Sequence, residues 1–452
     1  MNRLRWLTLS GLALGLIYPL TAQQAVSSAP PDDRYKADIL LIVAHPDDES
    51  VIAGYLARAI YDEHKRIAAV FCTRGNSGNN SIGSAQAGAL GAKREIEARR
   101  ALESFGVMNV WFLGGIDTYG QEPLRSLEVW NHGSHLWNVV RLVRLTRPEV
   151  ILTWLPDCVV GENHGDHQAS AVLATEAFDL AGDPTAFAEQ VGAPRNDRGV
   201  INLVEGLHAW QPKKIYYFTD ASHREFLEGQ GPSYSMSEIS PSRHVPYSEL
   251  RSLERGFHMT QYAPRPAGAT PLARASRPAQ FIFGKSLVDR NVTADIFAGI
   301  EPGAIPFTPP AGFHAETRDG LWMEVGSSWA FYRAFWKAHD IAHLENLLPM
   351  PELGVSPGGV LYVPLLLHNN TGQTAEITVN VAAPPGWNIQ AGAGQHSVPA
   401  GDAYPAEVAI AAPSSNDTDW HEIVFNAQSG GQTAGSVHVR VRFRGEGGVP
   451  GS

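Results

Sequence analysis

The chain contains very little cysteine: Cys72 and Cys158 are the only two among 452 residues. This excludes a small fold stapled by several disulfides, and the spacing is not that of a cysteine metal site. The two thiols could pair in an oxidising compartment, or they could be small buried residues of neighbouring strands. A hydrophobic core must therefore hold most of the fold together.

Positive charge is also scarce in this sequence. Lys and Arg number 35 against 46 Asp and Glu, which gives a formal net charge of −11. A surface of this sign repels phosphates, so we expect no nucleic-acid partner.

Long apolar runs are almost absent, and the exception lies at the start of the chain. Residues 7–20 are apolar, follow Arg3 and Arg5, and end just before the small residue Ala22. This pattern predicts an export signal over residues 1–22. An uncleaved membrane anchor is the alternative, but the run is shorter than the ~20 residues of a spanning helix. We expect an exported protein, periplasmic or extracellular, with no membrane span in the mature chain. Its charge would be −13, because the signal contains two arginines and no acidic residue.

The first part of the mature chain alternates between strand and helix patterns. Residues 39–44 form an unbroken apolar run, typical of a strand buried on both faces of a parallel sheet. The patterns that follow predict helices at about 49–64, 90–105 and 136–145, and strands at 67–72, 110–113 and 150–154. This alternation predicts a Rossmann-like α/β domain, with a mostly parallel sheet and flanking helices.

The sequence pattern of the rest of the chain predicts further strands and helices and a second domain. A strand at 214–218 and a helix at 248–258 follow, and residues 321–341 have the aromatic-rich pattern of a buried helix. Short strands at 361–367, 375–381, 406–411 and 436–443 predict an immunoglobulin-like β-sandwich. With about 150 residues per domain as a guide, the chain divides into a signal peptide (1–22), a linker (23–36), the α/β domain (37–265), an irregular and helical extension (266–350), the sandwich (351–444) and a disordered tail (445–452).

Two polar clusters follow predicted strands. His45, Asp47 and Asp48 come after the first strand, and His164 and His167 come after the fourth. Helix capping is the alternative role for the aspartates, and a surface loop is the alternative place for the histidines. Because ligands of parallel sheets bind beyond the carboxyl ends of the strands, the two clusters together favour a metal site.

Zinc at a catalytic site typically takes three protein ligands of N or O type and leaves one position open for water. His45, Asp48 and His167 match that number and predict one Zn²⁺ per active site. Asp47 is then left to act as the general base that takes a proton from the attacking water.

Two further residues of the second cluster could assist the reaction. His164 could stabilise the oxyanion or protonate the departing nitrogen. Asp166 could hold His164 in the needed tautomer and raise its pKa.

The segment Ala-His-Pro-Asp-Asp-Glu at residues 44–49 matches the signature of the PIG-L/LmbE-like de-N-acetylases without a change. This family includes the deacetylases of glycosylphosphatidylinositol, mycothiol and bacillithiol biosynthesis. Over about residues 38–261, the chain also resembles the family's later landmarks in the expected order: Thr-Arg-Gly at 73–75, the helix from residue 94, Leu-Gly at 113–114 with Asp117, Arg-Pro at 147–148 and His-Met-Thr-Gln at 258–261. The resemblance implies that His45, Asp48 and His167 bind zinc, that Asp47 is the base and that His164 is the acid.

The resemblance also implies substrate contacts, for which each residue has a structural alternative. Arg94 and Asp117 would contact the sugar, although Arg94 could instead pair with Glu97 along its helix and Asp117 could cap a turn. His258 would reach the active site, or it would be a core histidine.

The sequence departs from the family pattern at two places. Gly165 replaces the usual proline between His164 and Asp166, from which we expect a looser backbone; Glu162 and Asn163 stand where some members carry a tyrosine. In the C-terminal unit, Pro-Pro-Gly-Trp at 384–387 resembles the β-sandwich modules appended to secreted glycosidases. Such a module could bind polysaccharide or act as a spacer, and we favour the spacer.

These observations predict a metal-dependent hydrolase of the N-acetylglucosamine deacetylase type. It would remove an N-acetyl or other N-acyl group from an amino sugar or glycoconjugate outside the cytoplasm. Another metal-dependent amidase, or a carbohydrate-binding protein without catalysis, is the alternative. Two histidines and a carboxylate also describe non-haem iron oxygenases, but those usually carry the triad on a β-barrel.

Overall fold

The computed structural model describes residues 31–159, 164–191, 206–221, 223–262, 276–311, 318–415 and 417–444. The predicted export signal, the predicted tail and the pair Glu162 and Asn163 lie outside these residues. Within the described ranges, no helix is both long enough and apolar enough to cross a bilayer.

A six-stranded sheet forms the centre of the first domain. The strands of this part of the chain are β1 (Ile39–Val43), β2 (Ile67–Thr73), β3 (Val110–Gly115), β4 (Val150–Trp154), β5 (Lys214–Phe218), β6 (Ser233–Tyr234), β7 (Ala279–Gln280) and β8 (Ile282–Ser286). Six of them pair in the order β3-β2-β1-β4-β5-β8; β1 to β5 run parallel, and β8 runs antiparallel to β5. Every residue of β1, β2, β4 and β5 is buried, which explains their largely apolar sequences.

Helices cover both faces of this sheet. In the described residues they are α1 (Ala53–Tyr61), α2 (Ala87–Glu103), α3 (Pro123–Val129), α4 (His132–Thr146), α5 (Gly165–Leu180), α6 (Tyr247–Arg255) and α7 (Ser328–Ala338), with short 3-10 helices at Asp33–Tyr35, Asp48–Val51, Ala188–Gln190, Glu225–Leu227 and Ala342–Asn346. Val143 of α4 and Val172 of α5 pack in one apolar cluster, whereas Leu56 of α1, Leu102 of α2 and Leu250 of α6 pack in the other. The Rossmann-like α/β class predicted from the sequence is confirmed.

The strand order places a topological switch point between β1 and β4. From β1 the sheet grows through β2 to β3, and from β4 it grows in the opposite direction to β5. The loops that leave β1 and β4 therefore diverge and open a crevice at the carboxyl edge, which is where such sheets bind ligands.

The C-terminal part is a sandwich of two mostly antiparallel sheets. Its strands are β9 (Gly320–Val325), β10 (Glu352–Val355), β11 (Val360–Asn370), β12 (Ala375–Ala382), β13 (Asn388–Ala391), β14 (Gly394–Val398), β15 (Asp402–Ala411), β16 (His421–Ser429) and β17 (Gln432–Phe443). One sheet has the order β10-β17-β16-β12-β14 and the other β13-β15-β11-β9. Val363, Leu365, Phe425 and Val439 point between the sheets and are buried, as the alternating sequence of the strands requires.

Residues 321–341 differ from the single helix that their sequence pattern predicts. They begin within β9, which pairs antiparallel with β11, and only then form α7. The partner strand lies about forty residues further along the chain, so a local pattern does not reveal it. In the helix itself, Phe335 and Trp336 are buried against the α/β core, as predicted.

Trp387 of the glycosidase-module motif belongs to the sandwich interior. Its ring is 8% exposed and stacks on Phe443 with 5.7 Å between the ring centroids. Polar contacts tie the sandwich and helix α7 to the first domain: Arg444 Nη2, next to β17, donates to Gln121 Oε1 at 2.9 Å, and Ser328 Oγ of α7 donates to Glu122 Oε2 at 2.9 Å. This motif therefore offers packing rather than an aromatic surface for polysaccharide.

Cys72 and Cys158 are both free and buried. As in the second alternative, they are small buried residues without a bridge. They do not lie on neighbouring strands, because Cys158 follows the end of β4 and β1 separates β4 from β2.

Candidate active site

A cavity of about 180 Å³ lies at the carboxyl edge of the sheet, where the loops that follow β1 and β4 diverge. Both polar clusters of the sequence reach it, because His45, Asp47 and Asp48 follow β1, and His164 and His167 follow β4. The structure thus brings together residues that are about 120 positions apart in the chain.

His45, Asp48 and His167 form a group that could hold a metal ion. One ligand atom of each lies within 4.8 Å of the other two. Asp48 Oδ1 is 3.2 Å from His167 Nε2 and 3.8 Å from His45 Nδ1. Although burial opposes ionisation, His167 and His45 hold the pKa of Asp48 well below its usual range. Two imidazoles and an ionised carboxylate are ligands that zinc and its neighbours in the transition series accept.

The carboxylate of Asp48 is fixed so that only one of its oxygens faces the group. Oδ2 accepts hydrogen bonds from the N–H groups of Ala44 and His45, both at 2.9 Å, and from Trp154 Nε1 at 2.7 Å. Oδ1 is left for a metal ion. Helix capping, the structural alternative for this aspartate, does not describe these contacts, since the backbone donors precede the helix.

Trp154 also positions His167. The two rings stack in parallel with 3.9 Å between centroids and 3° between planes. Among the described atoms, His167 Nδ1 is buried without a hydrogen-bond partner. Trp154 therefore fixes the orientation of both His167 and Asp48.

Asp166 supports His45 rather than His164, which corrects the sequence interpretation. Its Oδ2 is 3.2 Å from His45 Nε2 but 3.9 Å from His164 Nδ1. Thr118 holds the carboxylate in place, with its N–H at 2.9 Å from Oδ2 and its hydroxyl at 2.6 Å from Oδ1. A carboxylate on the second nitrogen of a ligating histidine fixes the ring's tautomer and raises its basicity.

We expect Asp166→Asn to weaken metal binding about 10- to 100-fold, because loss of such a supporting carboxylate has this effect at other metal sites. Competition with a fluorescent chelator measures the affinity. Asp33→Asn is the matched control: its side chain is 85% exposed and pairs with Arg147 before β4, at the opposite edge of the sheet. Equal affinity for the Asp166→Asn protein and the control would contradict this role.

Asp47 lines the cavity and is not a helix cap. It stands at the N-cap position of Asp48–Val51 with φ at 105°, yet its side chain makes no capping hydrogen bond. Its N–H donates to Glu49 Oε2 at 2.9 Å, and its Oδ2 accepts from the Tyr262 hydroxyl at 2.5 Å. Burial, and next the charge of Asp48, raise the pKa of Asp47 above its usual value. Asp47 is therefore a fixed carboxylate of increased basicity beside the three residues that could hold a metal ion.

His164 is held as a neutral hydrogen-bond donor. It caps α5, and its Nδ1 accepts from the N–H of Asp166 at 3.2 Å. Burial, together with His45 and His167, lowers the pKa of His164 to about 3. A neutral ring with Nδ1 as the acceptor carries its proton on Nε2. Of the two roles considered from the sequence, this favours stabilisation of an oxyanion over protonation of the amine.

Gly165 is tightly held, contrary to the looser backbone that we expected. Its N–H donates to Gly120 O at 2.9 Å, and a Cβ at this position would meet Glu122 O at 2.9 Å. A proline could not make this hydrogen bond because it has no N–H. The glycine permits close contact with the segment that carries Thr118.

Arg94 lies at the cavity without an ion pair to Glu97. It is 4% exposed, and its guanidinium donates to Gly75 O and Asn79 O, both at 2.8 Å. Glu97 instead accepts from Thr260 N and Oγ1. Gly78 allows the loop to approach, since a Cβ there would meet Arg94 Nη1 at 2.5 Å. Arg94 therefore holds the loop over residues 75–79 that forms one wall of the cavity.

Asp117 links two loops at the same wall. Its Oδ2 accepts from Ser77 N at 2.8 Å. Its Oδ1 is buried and has no hydrogen-bond partner among the described atoms. A free acceptor on a cavity-lining residue is available to a sugar hydroxyl.

His258 does not line the cavity, so the structure contradicts a direct substrate contact. Its side chain is 0% exposed, with Nε2 at 2.8 Å from Glu49 Oε1 and 3.5 Å from Glu254 Oε1. Glu49 in turn binds the backbone of Asp47. His258 is the core histidine of the second alternative. It reaches the site indirectly, through Glu49 and through its carbonyl oxygen, which accepts from the N–H of Tyr262 at 2.9 Å.

Several residues that line the cavity were missed in the sequence, among them Trp154, Tyr262, Thr118, Tyr119 and Asp220. Trp154 ends a predicted strand, and Tyr262 follows the last family landmark. Their positions in the sequence could therefore have indicated that these two residues lie at the site. Nothing in the local sequence marks Thr118 or Asp220, because their roles depend on contacts with distant elements.

Comparison with known proteins finds sequence similarity over this domain. A family model described as PIG-L, GlcNAc-PI de-N-acetylase, matches residues 40–178. The 1D-myo-inositol 2-acetamido-2-deoxy-alpha-D-glucopyranoside deacetylase of Streptomyces scabiei is 32% identical over 179 residues, which cover 36% of this chain and 54% of the relative. The protein of the same name from Streptomyces avermitilis is 32% identical over 202 residues, covering 41% of this chain and 61% of the relative.

The matches are partial on both sides. The chain spans less than two thirds of the length of these curated relatives. A solved structure, the N,N'-diacetylchitobiose deacetylase from Pyrococcus horikoshii, is 19% identical with a TM-score of 0.36, and the likeness covers 50% of this chain and 71% of that one. The match of the family model includes His45, Asp48 and His167, and residues 40–178 therefore form a domain of the PIG-L family.

Proposed function

We propose that this protein is a zinc-dependent hydrolase that removes the N-acetyl group of an amino sugar or glycoconjugate. One observation carries the proposal: His45, Asp48 and His167 converge on a cavity in which Asp47 is a separately held, half-buried carboxylate. A base beside a three-ligand metal group with space for a substrate is the arrangement that metal-assisted amide hydrolysis needs. The names of the relatives, which are deacetylases of a 2-acetamido-2-deoxy-glucopyranoside, support this substrate class.

The donor set fits zinc. His45 Nδ1, Asp48 Oδ1 and one nitrogen of His167 would hold the ion, and Asp166 supports the other nitrogen of His45. When bound, zinc would polarise the amide carbonyl and increase the acidity of a bound water. The three ligands leave room for water and substrate, as in other catalytic zinc sites.

Asp47 takes the proton from the attacking water. The Tyr262 hydroxyl at 2.5 Å keeps this carboxylate in one orientation, and burial increases its basicity. Once protonated, Asp47 can deliver the same proton to the departing nitrogen, so that the hydrolysis balances without an external acid.

His164 donates its Nε2–H to the carbonyl oxygen as negative charge develops there. Its pKa of about 3 keeps the ring neutral, and a nearby cation would lower that pKa further. A fixed donor of this kind stabilises the tetrahedral intermediate more than the substrate.

The sugar would lie against the loops that Arg94 and Asp117 hold. Asp117 Oδ1 is the available acceptor for a hydroxyl. Tyr119, which lines the same cavity and is 82% exposed, offers an aromatic face at the rim. We propose that these residues position the amino sugar, and that the reaction takes place after export of the protein.

The test is amine release from a panel of N-acetylated sugars, muropeptides and glycolipids, assayed with and without a chelator. We expect at least one substrate to release a primary amine and acetate in equal amounts, with release abolished by the chelator and restored by Zn²⁺. Metal analysis of the purified protein identifies the ion. Absence of chelator-sensitive release from every member of the panel would overturn the proposal.

A further inference from the structure

A second cavity, of about 160 Å³, lies beside the candidate active site, and we call it the cationic pocket. Four arginines line it: Arg224, Arg251, Arg255 and Arg277. Asp220 is the one carboxylate among the described residues that line it. The whole chain carries a formal charge of −11, so this concentration of positive charge runs against the overall composition.

The cationic pocket adjoins the active-site cavity. Val51, Asp220 and Tyr262 line both. Tyr262 is the residue whose hydroxyl binds the carboxylate of Asp47. The shared residues therefore place the cationic pocket directly beside Asp47.

Contacts with the protein hold three of the four arginines in place. Arg251 Nε donates to Ser50 O at 2.7 Å, and Arg224 Nη2 donates to Thr219 O at 3.1 Å. The Arg255 guanidinium lies over the ring of Tyr262, 3.6 Å from its centroid. Such prior fixation reduces the entropy lost when a ligand binds.

Two of the four arginines lie close enough to repel each other. Arg251 and Arg255 are one turn apart on α6, a spacing at which like charges repel. Burial, and next Arg255, lower the pKa of Arg251 to about 10. Within the described residues, no carboxylate lies within 4 Å of the guanidinium of Arg255 or Arg277.

We propose that the cationic pocket binds an acidic group of the substrate, a phosphate or a carboxylate, carried by the amino sugar or by the unit next to it. The planar guanidinium fork matches the oxygens of both groups. The inference rests on the proposed function for the position of the amide, and it deepens that function by assigning the substrate to the acidic glycoconjugates.

Matched substrates test the selectivity. The acidic members are N-acetylglucosamine 1-phosphate, N-acetylglucosamine 6-phosphate and N-acetylmuramic acid, and the neutral member is N-acetylglucosamine. We expect kcat/KM to be higher for at least one acidic sugar than for the neutral one. The Arg277→Gln substitution should lower this acidic-to-neutral ratio about tenfold, mainly through KM, because a hydrogen bond between charged groups is lost. Arg100→Gln, an exposed arginine on α2, is the matched control and should leave the ratio unchanged.

A binding measurement separates this inference from the proposed function. Calorimetry on the Asp47→Asn protein gives the Kd of each acidic sugar without turnover. We expect Kd to rise about tenfold on adding Arg277→Gln or Arg224→Gln, and not on adding Arg100→Gln. Binding that depends on these arginines, with no amine release by the native protein, would support the pocket and contradict the proposed function. Equal kcat/KM for acidic and neutral sugars, or a Kd that neither substitution changes for any acidic sugar, would overturn the pocket. If only the two phosphorylated sugars, or only N-acetylmuramic acid, are preferred over N-acetylglucosamine, this identifies the acidic group that the cationic pocket binds.

Discussion

Replacing Asp47 by Asn should lower kcat for amine release by about 10²- to 10⁴-fold, the contribution typical of a positioned general base. The amide has nearly the same shape as the carboxylate and can still accept from the Tyr262 hydroxyl through its oxygen, but it cannot take a proton from water. Since Asp47 lies outside the group His45, Asp48 and His167, the metal content should not change. Single-turnover and steady-state assays, with metal analysis on the same sample, measure both quantities.

The Asp33→Asn control, which removes an exposed carboxylate at the other edge of the sheet, should keep full activity. A native rate for the Asp47→Asn protein would exclude Asp47 as the base. Loss of metal together with activity would instead make Asp47 a ligand, which the proposal does not allow.

Replacing Asp48 by Asn should remove the metal and lower kcat/KM about a thousandfold or more. Metal ions contribute several kcal/mol to such reactions, and each 1.4 kcal/mol corresponds to about tenfold in rate. We choose this substitution because hydrogen bonds fix the orientation of the Asp48 side chain. The amide oxygen would keep the position of Oδ2, where Ala44 N, His45 N and Trp154 Nε1 all donate. The amide nitrogen would then replace Oδ1, and an N–H donor does not coordinate a cation.

Dialysis against buffer without metal, followed by elemental analysis, measures the bound ion. Asp117→Asn is the matched control for metal content, because Asp117 lines the same cavity but lies outside the group. Full metal occupancy in the Asp48→Asn protein would contradict the assignment of this ligand, whereas loss of metal from the Asp117→Asn protein would show that the effect is not specific.

Much of the fold and part of the site could be predicted from the sequence because their signals are local. The buried strands β1, β2, β4 and β5 are largely apolar, and the helices between them have their own periodicity. The segment 44–49 and the histidines after β4 could be placed at one sheet edge because parallel strands end together. The assignment of His45, Asp48 and His167 to one metal ion stays a prediction, and the structure adds that they are close enough for it.

What could not be predicted depends on contacts between distant segments. Asp166 was assigned to its sequence neighbour His164, but the fold places its carboxylate nearer to His45. His258 was expected at the substrate, but Glu49 and Glu254 hold it in the interior. The sequence pattern predicts a helix where β9 lies, because the strand depends on pairing with β11, which is further along the chain.

The sequence by itself determined the class of the first domain, the edge of the sheet at which chemistry takes place and the types of residue available there. These follow from periodicity and from the rule that parallel strands carry their ligands at the carboxyl edge. Only the tertiary structure decided which carboxylate supports which histidine, and that four arginines from three separate segments meet beside the site. Such contacts depend on how loops and helices pack across the sheet, and residue spacing along the chain does not encode distances of this kind.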